Sequence, residues 1–301
     1  MREPTGKLAS EWTIVHGLSI HARVSVNPVP AEAQAIIMVH GLVVSSRYMV
    51  PTALRLAPYY HIYALDLPGF GKSGKPSHVL NITELADFLA DWMQAIGLKQ
   101  ATLLGNSLGC QVIADLALRH PEYISQIILL GPTTDPRART AYQLIVRWLL
   151  NATREPLSLF PIVIRDYLDA GFRRFVYTFR YMLQDRIEKQ LPRVSNPGLV
   201  VRGSDDPIVP QRWAEEATRL LPQGQLAVIA RATHDITYGS PVQLTRVVRA
   251  FLNVDRAKDR DPASSTITPV LLNVNTQGGM AMIPVKLGHL FPDASTGALS
   301  T

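Results

Sequence analysis

Short runs of apolar residues recur along the chain. Continuous apolar runs of this length are typical of strands that are buried on both faces of a sheet. Six segments have this character: residues 35–39, 61–65, 101–104, 127–130, 198–201 and 226–229. Ahead of them, residues 12–15 and 20–26 alternate weakly between apolar and polar positions. This weaker alternation predicts an antiparallel hairpin at the start of the chain.

Segments of helical periodicity separate the apolar runs. The clearest one follows Asn81, where apolar residues recur at three-and-four spacing: Ile82, Leu85, Phe88, Leu89, Trp92, Met93 and Ile96. Asn81 is a suitable N-cap, and Glu84 stands at the position that completes a capping box. Strands that alternate with helices predict an α/β fold with a mostly parallel sheet that helices cover on both faces.

The alternation is interrupted once, over residues 133–195. This stretch contains only helical patterns, which cover residues 141–151, 157–170 and 173–190. An insertion after a strand of a parallel sheet lies over the carboxyl ends of the strands, where ligands bind. We therefore predict a helical cap, or lid, inserted after a central strand.

The predicted domains follow from this interruption. Residues 1–132 and 196–252 form the core, and residues 133–195 form the cap. From residue 253 to residue 301 the periodicity is lost, and charged residues give way to scattered Pro, Ser, Thr and Gly. This composition predicts a C-terminal tail that is poorly ordered.

The composition excludes several classes of function. The 301 residues are 47% hydrophobic, which is ample for a sizeable core. The net charge is +6, but Lys and Arg are dispersed, so nucleic-acid binding is not indicated. No apolar stretch approaches the roughly 18 residues of a membrane span, so no stable membrane insertion is expected. A single cysteine, Cys110, and an N-terminus without an apolar signal region predict a soluble, cytoplasmic protein.

One motif carries candidate chemistry. The apolar run at 101–104 leads into Gly105-Asn106-Ser107-Leu108-Gly109, and a helical pattern begins directly afterwards. This is G-x-S-x-G between a strand and a helix, where a sharp turn exposes the serine hydroxyl and the glycines allow strand and helix to approach closely. Ser107 is therefore the candidate nucleophile. Cys110, just beyond it, is expected to pack within the helix.

A serine nucleophile needs a histidine base and a carboxylate that orients the base. Among the eight histidines, His234 follows the last buried run across a short loop, which places it at the carboxyl end of a strand. The loop after the preceding run offers two adjacent carboxylates, Asp205 and Asp206. The order serine, aspartate, histidine is then complete.

With these motifs the chain resembles the α/β-hydrolase fold family, specifically its lidded serine esterases, over residues 11–252. The family pattern around its acid matches Gly203, Asp206, Val209 and Pro210, so the resemblance selects Asp206. Asp135, after the strand that ends near residue 130, is the runner-up, because some members keep their acid there.

The resemblance also implies an oxyanion hole made of two backbone N–H groups. One belongs to Leu108, after the nucleophile, and the other to Leu42, in the loop that begins His40-Gly41. His40 is expected to hold this loop by hydrogen bonds. Neither a metal nor another cofactor is expected, and Asp66 stands where a phosphate-binding loop would need glycine.

A serine at the elbow favours an acyl-enzyme mechanism. The predicted function is hydrolysis of carboxylic esters. The expected substrate is a hydrophobic small-molecule ester, and His234 is expected to activate water in the second half-reaction. Alternatives are a C–C bond hydrolase of meta-cleavage-type diketones, an acyltransferase and a ligand sensor with slow turnover. Members with C–C hydrolase activity usually carry Trp after the catalytic histidine, whereas this chain has Asp235.

Overall fold

A single β-sheet organises the fold. The computed structural model describes residues 5–260 and 272–273. Within these residues the strands are β1 (Leu8–Val15), β2 (Leu18–Ser25), β3 (Ala35–Val39), β4 (His61–Leu65), β5 (Ala101–Asn106), β6 (Ile124–Leu130), β7 (Gly198–Gly203), β8 (Gly224–Ile229) and β9 (Leu272–Asn273). Their order across the sheet is β1-β2-β4-β3-β5-β6-β7-β8-β9.

The sheet is mostly parallel, as the sequence predicts. Strands β3 to β8 pair in parallel with one another, whereas β1 and β2 form an antiparallel hairpin and β9 runs antiparallel to β8. Each of the six apolar runs lies in one of the parallel strands. Strand β6 begins earlier than its apolar run, at Ile124, and its polar residue Gln126 accepts a hydrogen bond from Gln34 at 3.0 Å.

Helices cover both faces of the sheet. They are α1 (Val50–Leu56), α2 (Ile82–Ala95), α3 (Leu108–Arg119), α4 (Ala141–Ala152), α5 (Phe160–Ala170), α6 (Phe172–Gln184), α7 (Ile187–Gln190), α8 (Gln211–Leu220), α9 (Ile236–Gly239) and α10 (Pro241–Arg260). Successive side chains of a strand point to opposite faces. Ile37 of β3 accordingly packs in the core beneath α2, α3 and α8, whereas Ile36 packs in the core beneath α1, α9 and α10.

The first long helix begins as its sequence predicts. Asn81 Oδ1 accepts a hydrogen bond from the Glu84 amide at 3.0 Å, and Glu84 Oε2 accepts one from the Asn81 amide at 2.7 Å. The capping box is therefore confirmed. It satisfies two of the amides that the first turn of a helix leaves without partners.

The helical insertion, residues 133–195, lies between β6 and β7 and contains α4 to α7. The last predicted helix is broken at Asp185 and Arg186, so it consists of α6 and α7. Hydrogen bonds join the insertion to loops at the carboxyl ends of three strands: Asp166 to Ser45 after β3, Arg154 to Asp205 after β7, and Asn151 to His234 after β8. The insertion therefore covers the edge of the sheet at which ligands bind in open α/β folds.

The C-terminal end of the core differs from the prediction. Helix α10 continues to Arg260, past residue 252, where the sequence predicts that the core ends. The rest of the predicted tail, apart from β9, lies outside the described residues. In the part of the chain that the structure describes, no helix is both long and apolar enough to cross a membrane.

Candidate active site

Ser107 lies at the sharp turn between β5 and α3. Its backbone has φ 56° and ψ −117°, a strained combination for a residue with a side chain. A Cβ on Gly105 would lie 2.7 Å from the Gly109 carbonyl oxygen, and a Cβ on Gly109 would overlap the Val39 carbonyl oxygen. Both glycines of the motif are therefore required by close packing of strand against helix.

Cys110 packs beneath this turn. Its side chain is fully buried, and Sγ donates to the Gly105 carbonyl at 3.3 Å. Burial raises the pKa of the Cys110 thiol, so the reactive thiolate is disfavoured. The residue thus has the packing position that the sequence predicts.

His234 and Asp206 are brought together by the loops after β8 and β7. His234 Nδ1 and Asp206 Oδ2 lie 2.8 Å apart, and both side chains are buried. The other carboxylate oxygen, Asp206 Oδ1, accepts from the amides of Ile208 at 2.7 Å and Val209 at 3.0 Å. These three contacts hold the carboxylate in one orientation toward the imidazole.

The ion pair changes the protonation of the histidine. Burial by itself lowers the pKa of His234, but the charge of Asp206 and its hydrogen bond prevail and raise it to about 9. His234 Nε2 is buried and has no hydrogen-bond partner among the described residues. An imidazole held at Nδ1 and unpartnered at Nε2 is arranged to exchange a proton with a group that approaches Nε2.

The other candidate carboxylates lie elsewhere. Asp205 is exposed, and its side chain accepts a hydrogen bond from Ser204 Oγ at 2.9 Å. Asp135 is buried in an ion pair with Arg212 at 2.6 Å and with Arg147 at 3.3 Å. The hydrogen bond from Arg212 lowers the pKa of Asp135 against the opposing effect of burial. Asp206 is thus the one of these three aspartates that is bonded to His234.

Asn106, which precedes Ser107, contacts the His234 loop. Asn106 Nδ2 donates to the His234 carbonyl at 3.3 Å and to the Leu130 carbonyl at 3.1 Å. The Ser107 amide donates to the same Leu130 carbonyl at 2.9 Å. The turn that carries Ser107 is therefore tied both to the end of β6 and to the loop that carries His234.

The loop after β3 runs beside the serine. A Cβ built on Gly41 would lie 3.3 Å from Ser107 Cβ. The Gly41 amide donates to Tyr48 Oη at 3.1 Å, and Tyr48 Oη donates to Asn106 Oδ1 at 2.7 Å. Leu42 follows directly, and Val43 has a left-handed backbone with φ 54°. Leu108, the other predicted oxyanion donor, is the first residue of α3.

His40 holds this loop by its ring nitrogens. Nδ1 contacts the Gly41 carbonyl at 2.9 Å, and Nε2 accepts from the Leu67 amide at 3.0 Å. The ring is fully buried, and burial lowers the pKa of His40, so the neutral form prevails. With both nitrogens occupied, His40 has the hydrogen-bonding position that the sequence predicts.

The helical insertion reaches the His234 loop with two buried polar side chains. Asn151 Oδ1 accepts from the His234 amide at 3.2 Å, and Asn151 Nδ2 donates to Glu155 Oε1 at 2.9 Å. Glu155 Oε1 also accepts from the Asp235 amide at 3.2 Å. Burial and the Glu155 carboxylate raise the pKa of Asp235 to about 7. These contacts couple the insertion to the backbone of the candidate base.

Sequence reasoning missed four residues of this site: Asn151, Glu155, Tyr48 and Gly131. Gly131 has φ 54°, and a Cβ there would lie 2.9 Å from His234 Nδ1 and 3.3 Å from Asp206 Oδ2. Its only signal in the sequence is a glycine at the carboxyl end of an apolar run. The side chains of Tyr48, Asn151 and Glu155 carry no local signal, because their partners are distant in the chain.

Across residues 5–260 and 272–273, no group of three or more His, Cys, Asp or Glu side chains is placed to hold a metal ion. The chemistry available is that of a hydroxyl, an imidazole, a carboxylate and backbone amides. This set suffices for nucleophilic acyl transfer.

Comparison with known proteins gives consistent results at the level of the family. A family model described as alpha/beta hydrolase fold matches residues 34–162, and one described as TAP-like protein matches residues 179–264. The putative carbamate hydrolase RutD of Agrobacterium fabrum is 26% identical over 250 residues, which cover 75% of this chain and 96% of that protein. The carboxylesterase YbfK of Bacillus subtilis is 23% identical over 250 residues, covering 74% of this chain and 81% of that protein.

A solved structure supports the same fold. The crystal structure of a membrane phospholipase A, described as a bacterial virulence factor, superposes with a TM-score of 0.71 at 22% identity. It covers 83% of this chain and 87% of its own. Together with the matches of both family models and the sheet order, these findings show that the chain belongs to the α/β-hydrolase fold family.

Proposed function

We propose that the protein is a serine hydrolase that cleaves carboxylic esters through an acyl-enzyme intermediate. The observation that carries the proposal is the His234–Asp206 pair. Nδ1 is held at 2.8 Å, and the buried Nε2 has no hydrogen-bond partner in the part of the chain that the structure describes. The strained Ser107 follows Asn106, whose Nδ2 donates to the His234 carbonyl at 3.3 Å. A base with one nitrogen held and the other available is what a serine nucleophile requires.

Each candidate residue has a role in this mechanism. Ser107 Oγ attacks the ester carbonyl while His234 Nε2 accepts the hydroxyl proton. Asp206 holds the Nδ1–H tautomer and stabilises the imidazolium. The amides of Leu42 and Leu108 donate to the oxyanion. Leu42 follows Gly41, which lies against Ser107, and Leu108 is the first residue of α3.

The intermediate then resolves by hydrolysis. His234 gives its proton to the leaving alcohol, and the acyl group stays on Ser107. Water next donates a proton to His234 Nε2 and attacks the acyl carbonyl, which releases the carboxylic acid and restores the serine. The same residues therefore act in both half-reactions, with water in place of the leaving alcohol.

We also propose that the helical insertion acts as a lid over the site. Its contacts with Ser45, Asp205 and His234 support this role, because they place it above the carboxyl ends of three strands. Apolar side chains of the insertion, such as Ile145 and Trp148, are 43% and 41% exposed. Apolar lid surface favours hydrophobic acyl groups.

The names of the relatives suggest a second candidate substrate. Several curated relatives are named putative carbamate hydrolases. A carbamate presents a similar carbonyl electrophile, so the same residues would act on it. We place esters first, because a carboxylesterase is also among the relatives and because nothing at the described site selects a carbamate nitrogen.

A p-nitrophenyl ester series, from acetate to dodecanoate, tests the proposal. We expect turnover that Ser107→Ala abolishes and that Ser158→Ala, which changes an exposed serine of the insertion, leaves unchanged. Mass spectrometry of the quenched reaction should find one acyl group on the wild type and none on Ser107→Ala. Turnover that survives in Ser107→Ala would refute the acyl-enzyme mechanism. Folded wild-type protein that is inert toward the whole series would refute ester hydrolysis.

A further inference from the structure

A cavity is lined by residues outside the candidate active site. It has a volume of about 330 Å³ and lies between the chain after β4, residues 76–79, and the junction of α5 with α6, residues 170–174. Ser107, Asp206 and His234 are not among its lining residues. A ligand in this cavity would therefore not meet the groups proposed for ester hydrolysis.

A buried arginine that forms no ion pair with any described residue lines the cavity. The Arg174 side chain belongs to a residue that is 8% exposed, and its Nε and Nη1 atoms are buried without a hydrogen-bond partner in the described residues. The guanidinium lies against Gly69, where a Cβ would be 2.5 Å from Arg174 Nη1, and 5.9 Å above the Phe70 ring. No carboxylate of the described residues forms an ion pair with it.

Burial of a guanidinium group without an ion-pair partner is energetically unfavourable. Desolvation lowers the pKa of Arg174, and the neighbouring Arg173 charge lowers it further, with no acidic residue acting in the opposite direction. Guanidinium nevertheless stays charged in proteins. Burial of a charge without a partner is unfavourable unless an anion compensates it. The protein therefore carries a cost at Arg174 that a bound anion would remove.

Helix α6 points its N-terminus at the same cavity. Its N-cap is Gly171, which offers no side-chain acceptor, and its first turn contains no acidic residue. The cavity lining includes Gly171, Phe172, Arg173 and Arg174. First-turn amides and the helix dipole both favour an anion at this end. The exposed Arg173 adds a second positive charge.

The nearby acidic groups are already occupied. Glu84 Oε1 lies 3.1 Å from His78 Nε2, and His78 also lines the cavity. Asp169 Oδ2 accepts from Arg47 at 2.9 Å, and the Lys75 ammonium donates to the Asp169 backbone carbonyl. The local balance of charge around Arg174 therefore remains positive.

We propose that this cavity binds a phosphate group. A phosphate offers enough acceptor oxygens for the Arg174 guanidinium and the α6 amides together, and a small phosphate ester fits the volume. The group could belong to a soluble phosphate ester or to an anionic phospholipid, since Leu168 and Phe172 nearby are 78% and 80% exposed. The proposal does not depend on the ester hydrolysis proposed above.

The test has a soluble arm and a membrane arm. In the first, the full-length protein is titrated with inorganic phosphate by calorimetry at constant ionic strength, with chloride as the reference anion. In the second, it is co-sedimented with phosphatidylcholine vesicles that contain or lack phosphatidylglycerol. We expect saturable binding in at least one arm, and the arm that responds identifies the source of the phosphate.

Three variants with the same change of charge distinguish a specific site from general electrostatic attraction. Arg174→Gln should weaken binding at least about tenfold. Arg180→Gln, an exposed arginine of the same helix outside the cavity, should leave binding nearly unchanged. Arg173→Gln should give an intermediate loss, and it keeps the test valid if Arg174→Gln does not fold. Absence of binding in both arms, or equal losses in Arg174→Gln, Arg173→Gln and Arg180→Gln, would overturn the proposal.

Discussion

The hydroxyl of Tyr48 joins two loops of the site by donating to Asn106 Oδ1 at 2.7 Å while it accepts from the Gly41 amide at 3.1 Å. Asn106 precedes the candidate nucleophile, and Gly41 precedes a predicted oxyanion donor. Burial is the main cause that raises the pKa of Tyr48, so the phenol keeps the proton that it donates. One side chain therefore sets the distance between the oxyanion loop and the serine turn.

Removal of the Tyr48 hydroxyl should impair catalysis more than substrate binding. In Tyr48→Phe the Gly41 amide and Asn106 Oδ1 lose their hydrogen-bond partner. The two loops then lose the side chain that links them. We expect kcat to fall about tenfold or more while KM changes little, because the interaction acts on transition-state geometry. The buried groups left unpaired should also destabilise the fold by about 1–3 kcal/mol.

Steady-state kinetics and urea unfolding would measure both effects. Tyr142→Phe is the matched control, because Tyr142 is 77% exposed on α4 and should tolerate the change. If KM increased and kcat stayed unchanged in Tyr48→Phe, the residue would serve substrate binding, and our account of its role would be wrong.

Asp206→Asn should reduce kcat/KM far more than Asp205→Asn. Asp206 Oδ2 is bonded to His234 Nδ1, whereas the Asp205 side chain is exposed and contacts Ser204. An amide at the orienting position stabilises the wrong histidine tautomer, and losses of about 10⁴-fold are typical of that change. The two variants, assayed in parallel on one p-nitrophenyl ester, are each other's control. A larger loss in Asp205→Asn would reassign the acid.

The activity should depend on pH through His234. The Asp206 charge and hydrogen bond outweigh burial and raise the pKa of His234 from 6.5 to about 9 in the free protein. Because the base must be neutral to accept the Ser107 proton, kcat/KM should rise as pH increases toward that value. Residual activity of Asp206→Asn should titrate at lower pH. Profiles of kcat/KM measured from about pH 6 to about pH 10 span the range of a raised histidine pKa and therefore test this shift. Equal midpoints of the pH profiles of the two proteins would contradict it.

The same pair should contribute to stability in a defined pH window. A histidine whose pKa is raised by folding binds its proton more tightly in the folded state. The stabilisation is therefore complete below pH 6.5, the ordinary pKa of histidine, and is lost as the pH rises through about 9. We expect the wild type to have a higher melting temperature than Asp206→Asn. The difference should be largest at roughly pH 6, the lower end of this window, and should shrink as the pH rises.

Gly131→Ala should displace the candidate base. A Cβ at this position would lie 2.9 Å from His234 Nδ1 and Cε1, so the imidazole would have to move. We expect kcat to fall by about 10²-fold, which is typical of a displacement of about 1 Å at a reacting group. Crystallography or histidine NMR of the variant would report the shift of the ring.

Gly97→Ala is the matched control for this change. Gly97 also has a positive φ, of 70°, but a Cβ there would meet no atom within 4 Å. It should cost about 1 kcal/mol or more of stability through backbone strain alone, with kcat unchanged. Equal effects of the two variants on kcat would mean that strain, and not contact with His234, limits activity.

Local physics explains what could be predicted from the sequence. A run such as Ala35–Val39 is apolar throughout because both faces of its strand are buried, and that pattern is visible without a structure. The turn at Ser107 is equally local, since the close approach of strand and helix requires glycine at positions 105 and 109. The fold class and the candidate nucleophile therefore follow from short segments of the chain.

The tertiary structure decided the contacts that join these segments. The residues alone left Asp205 and Asp206 open, and only the packing of the β7 and β8 loops brings one of them to His234. Tyr48 with Asn106, Asn151 with His234, and Arg174 with Gly69 are pairs separated by many residues. Such contacts produce no periodic pattern in the sequence, because they depend on how whole elements pack and not on the spacing of neighbours along the chain.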